Sequence, residues 1–398
     1  MPVASQPPPL PKPITEVRPP AIPPTSRSRP NRLRRSLASI SRAADWLFGL
    51  ASLILALAVI SAIPVLNFLT LGYLLLASAR VATSGRIRDG FPGIYRLGVF
   101  GKIALVGWLL FLPIRLVHSF WLDAEIIEPG GPRAVQLKVL LAILIVGALF
   151  HLAWAIWRGG RLRHFLWPAP VKFIHWLASP RKFDGLGKRF VSTFRGIPIW
   201  QLASLGFRGA AGAFIWLAFP VFLLLTGAHL ENTGAAFFVS LCGGILLALA
   251  VLYIPFLQTQ FAVENRFGAF FDWQGTRRLF NRAPLAFWLA LLATLLFAIP
   301  LYLLKVELTP QEVAWLPNLL FVVFIFPARL LVGWAISRAR GREVPRIWVS
   351  RWAARLAVIP VVAAYAFVVW LSQYLSWHGA WGLAEQHAFL VPAPMLGL

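Results

Sequence analysis

Three basic side chains within apolar runs are the chain's candidates for binding chemistry. Arg115 follows Pro113 and Arg329 follows Pro327, so the sequence Pro-x-Arg-Leu occurs twice. His118 lies three residues after Arg115, on the same face of a helix. A proline frees a backbone carbonyl one turn earlier, and a guanidinium matches the oxygens of a phosphate. Arg115, His118 and Arg329 are therefore candidates for binding an anion or a lipid headgroup; the alternative is that they snorkel to the membrane surface or pack against the freed carbonyls.

Catalytic and metal-binding patterns are absent from the sequence. No Asp or Glu lies in the apolar runs between residues 103 and 376, which counts against proton- or sodium-coupled transport of the acidic type. The phosphate loop Gly-x4-Gly-Lys-Ser/Thr, His-Glu-x-x-His and Gly-x-Ser-x-Gly are all missing. The single cysteine, Cys242, allows no internal disulfide, and His378, Glu385 and His387 fit no familiar ligand spacing. We predict a protein that is not an enzyme and that holds no metal or cofactor.

The elements that position the candidate residues are predicted to be membrane helices. The chain has 59% hydrophobic and 13% charged residues and a mean hydropathy of +0.72, outside the range of soluble domains. Seven apolar runs are long enough to cross about 30 Å of hydrocarbon: residues 103–122, 139–157, 209–228, 235–256, 285–304, 314–337 and 356–376. An earlier run, residues 46–79, would measure about 50 Å as one helix. We predict that this run breaks at Ile63–Asn67, around Pro64, into a hairpin or re-entrant pair.

The connectors between these runs alternate in charge. Arginine and lysine far outnumber carboxylates in the basic connectors, residues 158–195, 266–282 and 338–355. The other connectors are short and hold carboxylates: Asp123, Glu125, Glu128, Glu231, Glu307, Glu312 and Glu385. The positive-inside rule then predicts a cytoplasmic N-terminus and an exterior C-terminus. We predict residence in the bacterial inner (cytoplasmic) membrane. The basic residues of the predicted cytoplasmic side account for most of the net charge of +24, and we predict no binding to nucleic acid.

Composition and short internal matches divide the chain into three parts. Residues 1–43 are rich in Pro and Arg and are predicted to form a disordered cytoplasmic arm. Residues 44–230 form a first membrane half with the hairpin and three spans, and residues 231–398 form a second half with four spans and an exterior tail. Short matches indicate that the halves are loosely repeated: Trp154–Arg158 with Trp334–Arg338, Ile63–Asn67 with Ile254–Gln258, and Pro113 and Leu116 with Pro300 and Leu303. The predicted fold class is all-α, a polytopic helical membrane bundle of about 8–9 membrane segments.

Two basic segments are predicted to lie on the inner membrane surface. Residues 158–199 interleave aromatic rings with Arg and Lys, and residues 257–280 place apolar residues near helical spacing, which predicts an amphipathic helix. Anionic lipid attracts each basic residue near the surface by about 1 kcal/mol. For residues 158–199 the alternative is packing against protein alone. The apolar residues 388–398 of the tail are expected to pack back on the exterior membrane face.

The stretch Ile63–Leu74, with the sequence Ile-Pro-Val-Leu-Asn-Phe-Leu-Thr-Leu-Gly-Tyr-Leu, is followed by a basic segment that contains Gly90–Gly93 and by another span. This arrangement resembles a domain-of-unknown-function family of prokaryotic multi-pass membrane proteins. The resemblance covers about residues 45–120. It implies membrane residence and no established activity, so it assigns no functional residue.

Two functions are consistent with these patterns. The first is a non-enzymatic multi-pass membrane protein that organises lipid or protein partners at the inner membrane surface, where its basic segments contact anionic headgroups of membrane lipids. The alternative is a permease for an anionic or lipidic substrate, with Arg115 and Arg329 lining the route.

Overall fold

The computed structural model describes residues 32–158, 164–165, 167–177, 198–303, 315–375, 379–385, 387 and 389–391. Within these ranges the chain is helical and contains no β-strand. The helices are α1 Arg32–Ala62, α2 Asn67–Ser84, α3 Ile94–Ile127, α4 Pro132–Trp157, α5 Pro170–Leu177, α6 Ile199–His229, α7 Thr233–Glu264, α8 Trp273–Arg282, α9 Pro284–Leu303, α10 Trp315–Arg340, α11 Trp348–Leu375 and α12 Gly382–Glu385.

Seven of the described helices are long and apolar enough to cross a membrane: α1 from Ala43 onward, α3, α4, α6, α7, α10 and α11. The pair α8 and α9, bent by 114° at its junction, brings the number to 8 if it is one span. The chain is an all-α multi-pass membrane protein, and the predicted fold class is confirmed. The described residues of all seven apolar runs after residue 100 are helical, because a helix satisfies its own backbone hydrogen bonds in hydrocarbon.

Helix α1 begins inside the segment that the sequence analysis assigned to a disordered arm. The chain divides into one unit of Met1–Ala43 and a second unit of Ala44–Leu398. Residues 32–43 are helical, so the prediction of disorder is wrong for them. The sequence reason is that no proline follows Pro30 until Pro64, which leaves the helix uninterrupted. Residues 1–31 of the arm lie outside the described ranges.

The predicted break around Pro64 is present between α1 and α2. Four residues, from Ile63 to Leu66, separate the two helices, and Val65 adopts a left-handed conformation with φ of 69°. The hydroxyl of Thr70 in α2 donates a buried hydrogen bond to the carbonyl of Leu57 in α1, at 3.1 Å. Because Thr70 follows the break closely and Leu57 precedes it closely, the two helices fold back on each other there.

Helix α2 lies in the interior of the unit of residues 44–398. It packs against α6, α7 and α10, and most of its side chains are buried. Its backbone approaches two of these helices directly at glycine. A Cβ added at Gly72 would lie 1.9 Å from the carbonyl oxygen of Leu202, and one added at Gly206 would lie 1.9 Å from that of Phe68. A Cβ at Gly333 of α10 would lie 2.3 Å from the carbonyl oxygen of Ser78. Small residues thus let the helices pack backbone to backbone.

Helices α3 and α4 pack on each other at one side of the bundle. The first turns of α3 also contact α1, where Lys102 forms a 2.6 Å ion pair with Asp45. Beyond that region most side chains of both helices face away from protein; Ile143 and Val146 of α4, for example, are 62% and 66% exposed. Such apolar exposure is expected of helices in contact with lipid tails.

The prediction of one amphipathic helix over residues 257–280 is wrong. Helix α7 continues to Glu264, where Asn265 ends it in a left-handed conformation with φ of 53°. A 3-10 turn at Phe267–Phe271 follows, and α8 is separate and capped by Asp272, whose side chain accepts from the amide of Gly275. Of the four apolar residues at helical spacing, Leu257 and Phe261 lie in a buried cluster. The other two, Phe267 and Phe271, are 37% and 53% exposed, so the four form no single lipid-facing stripe. Helical periodicity alone does not distinguish a buried helix end from a surface helix.

The internal matches differ in how well they correspond in space. Ile63–Asn67 forms the break between α1 and α2, whereas Ile254–Gln258 is a buried stretch inside α7, so these two stretches have different structures. The match between the ends of α4 and α10 is closer. There the guanidinium of Arg158 lies 5.6 Å from the Trp154 ring, and that of Arg338 lies 5.9 Å from the Trp334 ring.

Only part of the basic segment at residues 158–199 lies within the described ranges, and that part packs on α4. The side chains of His151 and Trp154 bond to the carbonyls of Phe165 and Pro168 at 2.6 and 2.7 Å. Arg158 donates to the carbonyl of Trp167 at 2.6 Å. The carbonyls of this connector thus accept hydrogen bonds from side chains at the end of α4, while residues 178–197 lie outside the described ranges.

Candidate functional site

The structure does not bring the three predicted binding residues together. Arg115 and His118 lie on α3 with exposed side chains, and the His118 ring is 5.5 Å from that of Trp121. Arg329 lies in the interior of the bundle and is 1% exposed. A site that combines Arg115 with Arg329 is therefore not formed, and the two arginines have different surroundings.

Arg329 is the largest fully buried side chain in the described part of the protein. It lies on α10, the most buried of the candidate spans. Its Nη2 donates to the carbonyl of Phe389 at 2.8 Å, and its buried Nη1 forms no hydrogen bond with any described residue. The bond reaches a segment 60 residues later in the sequence. Arg329 thus binds a backbone carbonyl near the C-terminus rather than one that Pro327 frees within α10.

Gln258 on α7 binds the same segment. Its side chain is fully buried, and its Nε2 donates to the carbonyls of Leu390 and Gly209, at 2.8 and 3.1 Å. Its Oε1 is buried without a hydrogen-bond partner among the described residues. Two polar side chains on different helices therefore bind two consecutive carbonyls, those of Phe389 and Leu390.

The C-terminal segment, His387 with residues 389–391, lies inside the bundle. Phe389 and Leu390 are 1% and 0% exposed, and both belong to the main hydrophobic core. The hydroxyl of Tyr365 on α11 lies 2.9 Å from Nδ1 of His387, and the amides of Leu390 and Val391 donate to the His387 carbonyl. The prediction that this part of the tail packs on an exterior membrane face is therefore wrong for the described residues. Apolar composition predicted burial correctly but could not say against which surface.

A row of buried polar residues on α7 extends the site. Gln258, Thr259 and Gln260 are consecutive, and each is at most 3% exposed. The hydroxyl of Thr259 lies 2.9 Å from that of Ser78 on α2, and Gln260 Nε2 donates to the Thr276 hydroxyl at 3.1 Å. This row was not predicted from the sequence, although three polar residues directly after an apolar run were a visible signal. Each side chain finds a partner on another element, as buried polar groups require.

The chemistry available at this site is hydrogen-bond donation by a cation and an amide. Within the described residues no group of three or more His, Cys, Asp or Glu side chains could hold a metal ion. Of the three residues considered for metal binding, His387 contacts Tyr365, and the other two, His378 and Glu385, have side chains outside the described part. The arrangement around Arg329 and Gln258 is suited to bind oxygen acceptors such as carbonyls, carboxylates or phosphates.

No protein family, curated protein or solved structure matches the chain. The family resemblance of Ile63–Leu74 therefore stays a prediction. In the structure this stretch forms the break after α1 and the first part of α2.

We expect Tyr365→Phe to lower the free energy of unfolding by about 1 kcal/mol, because it removes one hydrogen bond to the C-terminal segment. Thermal unfolding in detergent measures the effect. Tyr374→Phe is the matched control, since Tyr374 lies on the same helix with 67% exposure. Equal midpoints for the two variants would contradict a role for the Tyr365 hydroxyl.

A second candidate surface is formed where two basic connectors meet. Arg342 donates to the carbonyl of Arg282 at 3.2 Å, and Arg355 donates to the side chain of Asn281 at 3.1 Å. The amide of Arg346 donates to the Asn281 carbonyl at 2.9 Å. These bonds join α8 to the connector between α10 and α11 in one surface, which we call the basic surface. Its exposed arginines are Arg277, Arg278, Arg338, Arg340 and Arg346.

Exposed apolar side chains adjoin these arginines. Ile347, Trp348 and Trp352 are 71%, 62% and 44% exposed. The Arg355 guanidinium lies 5.5 Å from the Trp352 ring. Tryptophan beside arginine is typical of the level of lipid headgroups, where the ring enters the interface and the cation meets phosphate.

Proposed function

We propose that this protein is a non-enzymatic membrane protein that binds anionic lipid headgroups at the basic surface and thereby organises lipid or protein partners at the inner face of the membrane. The proposal is supported by the hydrogen bonds at Asn281 and Arg282, which join two basic connectors. They bring exposed arginines together on one folded surface. The positive-inside rule places such connectors on the cytoplasmic side, where the leaflet carries anionic lipid.

Hydrogen bonds between elements, in addition to charge, define the basic surface. Hydrogen bonds join α8 to the start of α11 and to the connector before it, so the backbone segments that carry these arginines are held together. Glu343 is the one exposed carboxylate in the connector between α10 and α11. Arginine forms paired hydrogen bonds to phosphate oxygens, and the neighbouring tryptophans add apolar contact with the upper acyl chains.

Neutralising two arginines is expected to weaken lipid binding substantially. Each basic residue near an anionic leaflet contributes about 1 kcal/mol, so Arg277→Gln with Arg278→Gln should lower affinity for phosphatidylglycerol by about 30-fold. Native mass spectrometry of the protein from nanodiscs that contain phosphatidylglycerol measures the retained lipid. We expect the wild-type protein to retain phosphatidylglycerol in preference to phosphatidylcholine.

A matched control removes the same charge at another place. Arg133→Gln with Lys138→Gln alters two exposed basic residues of α4, far in sequence from both connectors. We expect this variant to retain lipid as the wild type does. Equal lipid loss in the two double variants would show that net charge, and not the basic surface, attracts the lipid.

The alternative of a permease with Arg115 and Arg329 on one route has weaker support from the geometry. Arg115 is exposed on α3, and Arg329 is buried against Phe389. The buried position of Arg329 supports an internal binding site.

A further inference from the structure

We propose that Arg329 and Gln258 form an internal binding site for an oxyanion, a carboxylate or phosphate group, and that Phe389 and Leu390 of the C-terminal segment occupy this site in the present conformation. The inference goes beyond lipid binding at the basic surface and depends on different residues.

Among the described residues, no carboxylate compensates the charge of Arg329. The residue lies about 21 Å along the axis from the start of α10 and about 17 Å from its end, so it is near the middle of the span. No described carboxylate forms an ion pair with it; the two described ion pairs involve Lys102 and Arg266. A buried cation without an anionic partner costs several kcal/mol, and ionisable residues within spans commonly mark binding sites for this reason.

Hydrogen-bond donors from two helices converge on the carbonyls of Phe389 and Leu390. Arg329 offers Nη2 to the Phe389 carbonyl, while its buried Nη1 has no hydrogen bond to a described residue. Gln258 Nε2 donates to the neighbouring carbonyl of Leu390. A carboxylate or phosphate accepts two parallel bonds from one guanidinium, and charge-assisted bonds of this kind are about twice as strong as bonds to a neutral carbonyl. The set of donors therefore fits an oxyanion better than it fits the two carbonyls.

Hydrogen bonds and apolar packing hold the C-terminal segment in its present position. Three side chains, Arg329, Gln258 and Tyr365, make polar contacts with the C-terminal segment, and none of these contacts is an ion pair. The burial of Phe389 and Leu390 holds the segment in addition. An oxyanion must therefore compete with this apolar packing, and weakening the packing should raise the apparent affinity for the anion.

The test titrates the full-length protein in nonionic detergent with sodium phosphate and follows the midpoint of thermal unfolding. A ligand that binds the folded state raises this midpoint in a saturable way. Sodium chloride at equal ionic strength controls for screening. We expect a saturable rise with phosphate for the wild type, no rise for Arg329→Gln, and a retained but smaller rise for Arg329→Lys, which keeps the charge without the paired donors.

Two further variants make the result decisive. Phe389→Ala weakens the packing of the segment and should lower the phosphate concentration at half-saturation by at least about 10-fold. Gln258→Leu removes a donor and should raise that concentration, which provides a second measurement if Arg329→Gln does not fold. The proposal is overturned if Arg329→Gln responds as the wild type does, or if neither the wild type nor Phe389→Ala responds to phosphate.

A parallel titration separates the two sources of the anion. Dihexanoyl phosphatidic acid carries a lipid phosphate, and dihexanoyl phosphatidylcholine carries the same chains with no net charge. Stronger binding of the phosphatidic acid than of inorganic phosphate identifies a lipid ligand, and equal or weaker binding identifies a free anion. Both results support the internal site if Arg329→Gln abolishes the binding. The effect of Arg329→Gln on the phosphate response tests the internal site, whereas lipid retention by Arg277→Gln with Arg278→Gln tests the basic surface, so failure at one and failure at the other remain distinguishable.

Discussion

Gly206→Ala is expected to lower the free energy of unfolding by about 3 kcal/mol, because a methyl group at this position cannot fit between α2 and α6. The new Cβ would lie 1.9 Å from the carbonyl oxygen of Phe68 and 2.8 Å from the amide nitrogen of Gly72. Both are backbone atoms of α2, so no side chain can rotate away and the helices themselves must separate. Since α2 packs against α6, α7 and α10, its displacement disturbs the core of the bundle.

Gly147→Ala is the control for this experiment. Gly147 also lies within a long apolar helix, α4, but no atom outside its own helix turn comes within 4 Å of the added Cβ. Alanine favours the helix over glycine by roughly 0.5–1 kcal/mol, so this variant should be unchanged or slightly more stable. Thermal unfolding in the same detergent compares the two. If both variants unfold at the wild-type temperature, the close crossing of α2 and α6 is wrong.

The second large effect is expected at the ion pair between α1 and α3. Lys102 and Asp45 lie 2.6 Å apart, with side chains 7% and 32% exposed. Asp45→Asn leaves a buried ammonium without its partner and should lower the free energy of unfolding by about 3 kcal/mol. Lys102→Met leaves a carboxylate that is partly in contact with solvent, so the expected loss is smaller, about 1 kcal/mol.

A double-mutant cycle isolates this interaction. The combined variant Asp45→Asn with Lys102→Met removes both charges, and we expect it to be more stable than Asp45→Asn alone. The unequal effects of the single substitutions are the specific expectation, since they follow from the unequal exposure of the two groups. Equal losses in both single variants, with simple additivity in the double variant, would indicate that the ion pair contributes nothing.

The positions of the helices were largely predictable from the sequence. An apolar run of sufficient length forms a helix in a membrane, because a single segment in hydrocarbon can pair its backbone N–H and C=O groups only in a helix. Pro64 likewise indicated the break between α1 and α2. The boundary at residues 257–264 was predicted wrongly because the end of α7 and the following turn have an apolar spacing that also fits a surface helix.

The candidate site was only half predictable. Arg329 was identified because a charge within an apolar run is costly, and that argument needs no knowledge of the fold. Its partner Phe389 was not identified, since a backbone carbonyl carries no signal in the sequence. Gln258 was missed for a related reason: an amide near the end of an apolar run is common, and only packing shows that it reaches Leu390, 132 residues later.

The long separation between Gln258 and Leu390 also sets an order of assembly. Contacts between residues far apart in sequence form late, because the intervening chain must first be placed. Helices α7 and α10 are synthesised before the C-terminal segment, so Arg329 and Gln258 enter the bundle without the carbonyls that they bind in the final structure. The C-terminal segment therefore fills the space beside Arg329 and Gln258 only after both helices have been synthesised.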